Sequence, residues 1–205
     1  MRRKWLKPSL VAVLAIWAGN ARPDENKPAN GGSASVIPGS RIECSLTRKP
    51  GEPFDPPSTS AIPQTGAFVA REHFREDMTP AAEVKISWLG ATFVRRFAVK
   101  AETAGDTSLQ SYALKAPSSA TEISGDLNSR DETKLADVWC LLRLQANGES
   151  GALDISSSPN IFFVRDAMGE LGVVDALWGG AGWEIGASPL GNQQTWPRGT
   201  RVFSR

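Results

Sequence analysis

Histidine occurs once in the 205 residues, at His73, and cysteine twice, at Cys44 and Cys140. That scarcity excludes a good deal of chemistry. A Ser or Cys nucleophile would depend on His73 alone for its activation. Two thiols and one imidazole do not make a zinc site. The chain has no G-x-S-x-G elbow, no H-E-x-x-H helix and no phosphate-binding P-loop. Gly179-Gly180-Ala181-Gly182 is rich in glycine, but it lies between two apolar runs and reads as a hairpin turn, whereas a phosphate loop would precede a helix. No cofactor and no metal is called for. A strong basic excess is also missing, since the formal net charge is +1, so there is no nucleic-acid footprint.

Long apolar runs are absent as well. The longest, Leu10 to Ala18, is too short to span a bilayer. It follows Arg2, Arg3, Lys4 and Lys7 and precedes a small-x-small site at Gly19-Asn20-Ala21, which is the anatomy of a secretory signal peptide over residues 1–21. The route is the general one or, given Arg2-Arg3-Lys4-Trp5, the twin-arginine one. No stable membrane span remains after cleavage. Loss of those four cations takes the net charge from +1 to −3. The expected location is periplasmic or secreted, and in an oxidising compartment Cys44 and Cys140 read as one disulfide.

Residues 22–40, rich in Pro, Gly, Asn and Ser, read as a flexible linker, and residues 41–205 as a single globular domain. Ile42, Cys44 and Leu46 alternate as a half-buried strand with Cys44 inward. A loop with five prolines between residues 50 and 63 follows. Val84, Ile86 and Trp88 alternate as inward positions of another strand. Gly90-Ala91 then turns into TFVRRFAVKA, read as a further strand, and residues 102–128 read as an irregular excursion with an edge strand at most.

Residues 130–146 carry the decisive ambiguity. Ser129 to Glu132 is a capping-box pattern and Asn147-Gly148 a stop, so a helix is favoured; the alternation of Val138, Cys140, Leu142 and Leu144 leaves a strand as the alternative. Residues 160–188 read as a three-stranded antiparallel meander. Four-residue turns at Asp166 to Gly169 and Gly179 to Gly182 would set Arg165 opposite Glu170, Phe163 opposite Gly172, Ile161 opposite Val174 and Trp178 opposite Trp183. Thr200 to Phe203 reads as a final strand. The fold class is α+β, mainly antiparallel sheet with one packed helix near residues 130–146.

Candidate site residues are few. Glu72, His73, Glu76 and Asp77 could share a proton or a cation on a helical turn, although Arg71 and Arg75 make a solvated charged segment the simpler reading. Asp175 interrupts an apolar strand and needs a partner or the edge of a covered face. Of the tryptophans beyond the leader, Trp88, Trp178 and Trp183 fall on apolar faces. Trp196, beside Pro197 and Arg198 in polar sequence, is expected to be accessible, and Trp196 with Arg198 is the expected binding surface. These features point to an exported binding protein without catalysis, acting on an envelope protein partner as an inhibitor or immunity-type protein does. A carbohydrate-binding module for cell-wall or capsular glycan is the alternative, and a hydrolase using His73 with Glu76 or Asp77 comes third.

Overall fold

The computed structural model describes residues 35–46, 66–128 and 131–205. Residues 1–34, 47–65 and 129–130, which include the expected leader, most of the expected linker and the proline-rich loop, lie outside the described residues. The architecture is α+β and mainly antiparallel, as the patterning predicts. Strands β1 (Val36–Cys44), β5 (Thr107–Leu114), β12 (Arg201–Ser204), β8 (Asn160–Arg165), β9 (Leu171–Trp178), β10 (Trp183–Pro189) and β3 (Ile86–Leu89) lie side by side in that order. The short β7 (Glu132–Thr133) also pairs with β8. Neighbours are antiparallel except β12 with β8, β10 with β3 and β7 with β8. Two small hairpin-like pairs stand apart, β2 (Gly66–Val69) with β4 (Ala101–Ala104) and β6 (Ser118–Ser119) with β11 (Thr195–Trp196).

Helices pack on both faces of the sheet. On one face Phe162, Val164, Val174, Ala176, Trp183, Ile185 and Phe203 pack with α4 (Leu135–Leu144), α1 (Ala70–His73) and α2 (Ala91–Arg96). On the other, Ile161, Phe163, Val173 and Val202 meet Ala120, Ile123 and Leu127 of α3 (Ala120–Leu127), together with Trp196. Helix α4 is buried from Leu135 through Leu142, because the sheet covers one side and the aromatic layer of α1, α2 and β2 covers the other. The disulfide between Cys44 and Cys140 ties β1 to this helix, with a Cα separation of 6.0 Å.

Several sequence expectations are corrected. The domain takes in Val36 to Ser40, assigned above to the linker, because β1 pairs with β5 from Val36 onward across a bulge near Gly39. Helix α4 starts five residues later than expected. Glu132 is spent on β7, and Asp137 caps the helix by accepting the Lys134 N–H at 2.7 Å. Residues 91–96 are helical, not extended: Gly90 gives the extended entry, and Phe93 and Phe97, one turn apart, share the buried side. Residues 102–128 hold most of β4, the strands β5 and β6, and α3, which begins with a full capping box between Ser119 and Glu122.

The first hairpin of the meander is shifted by one. Asp166 to Gly169 does form the turn, with the Gly169 N–H on the Asp166 carbonyl at 3.1 Å. Gly169, however, takes a φ of 84°, which adds a left-handed residue and lets Asp166 pair with Glu170. Arg165 therefore faces Leu171, Phe163 faces Val173 and Ile161 faces Asp175. A slip of one turns β8 over, so Ile161 and Phe163 lie on the α3 face. The second hairpin keeps the expected register, with Trp178 opposite Trp183.

Candidate functional site

Helix α1 is a single turn, and it delivers His73 to the aromatic layer. The imidazole stacks on Phe68 of β2 with ring centres 4.4 Å apart and planes within 3°, and it lies 5.2 Å from Trp139 of α4. These three rings floor a cleft of about 280 Å³ that also meets Ala67, Glu83 and Arg143. Arg143 pairs with Glu83 at 2.7 Å and donates to the Leu46 carbonyl at 3.1 Å, so the charged rim is held in place from two elements. Burial holds the His73 pKa below its usual 6.5, against the opposing pull of Glu83 and Glu72. At neutral pH the ring is an uncharged aromatic surface with two polar edges.

The charged segment around His73 is divided by the fold. Asp77 shares a smaller recess of about 140 Å³ with His73, Glu72, Arg75 and Glu83. Its carboxylate is held below the usual range by the Thr79 backbone N–H and hydroxyl, which favours the ionised form. Glu76 turns away and accepts the Leu89 N–H at 2.9 Å, closing the outer edge of β3. Asp77 also bridges Ile86 through backbone bonds of 3.0 and 3.1 Å. The helical spacing that would join His73 to Glu76 does not exist, because α1 ends at His73. Among the described residues, no group of His, Cys, Asp and Glu side chains is placed to hold a metal ion.

The tryptophans exchange roles relative to the sequence reading. Trp196 is buried at 3 %, since β11 tucks it into the α3 cluster, and Arg198 in the turn after it is exposed. The pair therefore forms no joint surface. Trp88 is 50 % exposed although its strand alternates. The pairing of β3 with β10 is bulged at Ser87, so Ile86 stands beside Trp183 in the core while Trp88 stands beside Glu184 on the opposite face. A bulge leaves no mark in the hydrophobic pattern. The meeting of Phe68 and Trp139 with His73 is a tertiary contact between distant parts of the chain, which the sequence pattern does not mark.

Asp175 lies on the α3 face, half-buried, and it has no ion-pair partner among the described residues. Burial pushes its pKa up to about 6. Gly186 makes the room for it, because a Cβ at that position would stand 2.6 Å from Oδ2. Other buried polar side chains are matched, among them Asp137, Gln145 and Asn160. Asp137 holds Arg205 through two bonds of 2.7 and 2.8 Å, and Gln145 and Asn160 fold the 145–160 loop by side-chain bonds to Leu153 and Asp154. No helix among the described residues is long and apolar enough to cross a membrane. Compared with family models, with curated proteins and with solved structures, the chain finds no match.

Proposed function

We propose that the chain is an exported, non-catalytic binding protein whose His73 cleft receives one side chain of an envelope protein partner, in the manner of an inhibitor or immunity-type protein. The observation that carries this reading is the cleft itself. Its volume of about 280 Å³ falls just below the roughly 300 to 1,000 Å³ of small-molecule pockets, which suits a single inserted residue. Phe68, His73 and Trp139 supply a rigid aromatic floor of the kind that anchors interfaces. Glu83 and Arg143 are bound to each other, so a guest meets a neutral rim and need not neutralise either charge. The basic and apolar start of the sequence and the disulfide both suit an oxidising compartment.

A glycan is the second reading, favoured by the same rings, since a sugar could stack on them and bond to Glu83. Ala67 is exposed and lines the cleft, so Ala67→Trp fills it without touching the core. The partner is captured from envelope extract, purified, and its Kd measured against the parent and the Ala67→Trp protein. At least a tenfold weakening is expected. Equal affinity would remove the cleft from the interface, and binding of cell-wall oligosaccharide blocked by the same substitution would move the reading to glycan.

A further inference from the structure

The opposite face of the sheet carries a second arrangement that shares none of the cleft residues. The bulge at Ser87 turns Trp88 onto this face, level with Glu184. The indole lies against Gly90, where a Cβ would come within 3.0 Å of the six-membered ring. Gly90 donates its N–H to the Ile185 carbonyl at 2.8 Å, which sets it beside Gly186. Gly186 in turn stands opposite Asp175, whose carboxylate lies over it. Two neighbouring glycines thus form a floor, with an aromatic ring over one and a carboxylate over the other. Gly90 and Gly186 lie on neighbouring segments, so ring and carboxylate sit over adjacent positions of one floor.

Asp175, Glu184 and Glu76 form no ion pair with any described residue. Lys85, just before Trp88 in the chain, acts on Glu149. We infer that the shelf takes the guanidinium or ammonium group of an arginine or lysine side chain presented by a partner protein. The exposed indole face attracts a cation through its quadrupole, and the half-buried carboxylate beside it gains the counter-ion it lacks. A neutral sugar could stack on Trp88 but would leave that carboxylate without a counter-ion. A free small cation would be poorly held, because the shelf is a sheet face and neither recess beside His73 reaches it. A side chain carried by a protein brings its own surrounding contacts. The bulge gains a purpose on this reading, as it re-aims a tryptophan that the alternation of β3 would have buried.

The test follows the indole N–H resonances of the whole protein during titration with N-acetyl-arginine amide, and in parallel with the uncharged citrulline analogue and with N-acetylglucosamine oligomers. Arginine should shift the Trp88 signal saturably and leave the buried Trp183 signal in place. Asp175→Asn, which preserves shape, should weaken that response roughly tenfold, and Trp88→Ala should abolish protection of Asp175 carboxyl shifts by arginine. An unmoved Trp183 signal reports that each variant is folded. Equal responses to citrulline, no response to arginine, an Asp175→Asn protein that binds as well as the parent, or a response to the glucosamine oligomers alone would each overturn the inference. The outcome is separate from that of the cleft, since Ala67→Trp leaves the shelf untouched.

Discussion

At Asp175 the fold works against a charge. Its pKa near 6 lies above that of an unfolded aspartate, about 3.9, so between those values the native chain holds more protons than the unfolded one. Stability contributed by the protonated acid is therefore full below about pH 4 and falls as pH rises toward 6. Asp175→Asn should remove that slope and raise stability at pH 7 by on the order of 1 to 3 kcal/mol, read by urea unfolding across pH. His73 has the opposite sign. Burial lowers its pKa below 6.5, so the neutral ring favours the fold, and its contribution is lost as pH falls below the unfolded value. A proton titration of the imidazole should show a midpoint below 6.5, and His73→Ala should flatten the acid limb. The tryptophans give a third expectation. Trp183 and Trp196 are buried at 0 % and 3 %, so truncating either to Ala should cost about 3 to 5 kcal/mol, whereas Trp88→Ala should cost well under 1 kcal/mol. Trp183 was legible from its register with Trp178. Trp88 and Trp196 were not, because one is moved by a backbone bulge and the other by a two-residue strand in polar sequence.

At the scale of elements, the turn between β8 and β9 is held by a single carboxylate. Asp166 accepts the N–H groups of Met168 and Glu170 at 2.9 Å each, and its other oxygen takes the Arg96 Nε–H at 2.7 Å. Arg96 also reaches Glu170 at 2.8 Å, so α2 is anchored to the turn. Asp166→Ala leaves three donors without an acceptor and should cost about 2 to 4 kcal/mol in denaturant unfolding, more than the same change at exposed Asp106. This turn also shows where sequence reasoning stops. Asp and Gly at the proper spacing identified the turn, but nothing in the residue order states that Gly169 adds a left-handed step. The expected pair of Arg165 with Glu170 is replaced by Arg165 with Glu132 and Arg96 with Glu170, two contacts across distant parts of the chain. Likewise, helix α4 was legible as a helix, while its start was not, since the local capping signal at Ser129 to Glu132 yielded to strand pairing with β8. Strand β5 was not placed because polar residues stand at both parities of TSLQSYAL, which blurs the alternation by which half-buried strands are recognised.

For the whole molecule, the disulfide and the sheet act on the same problem of long-range order. The bridge joins residues 96 apart, and in the chain-entropy account a loop of that length restricts the unfolded state by about 4 to 5 kcal/mol. Cys44→Ala with Cys140→Ala should lower stability by up to that amount, and intact-mass measurement of envelope protein should show an N-terminus near Arg22 and a mass two hydrogens below the reduced chain. A full-length, reduced, cytoplasmic protein would contradict the export reading. The sheet adds a further condition. Its third strand in spatial order, β12, is the last in the chain, and it joins β5 on one side to β8 on the other. Until Ser204 arrives, the β1–β5 pair and the β8–β9–β10 meander are two half-sheets with a gap between them, each with an unsatisfied edge. The full sheet therefore closes only when β12 docks between them. Removal of residues 201–205, which takes out β12, should yield a product that stays unfolded and protease-sensitive even with both cysteines present.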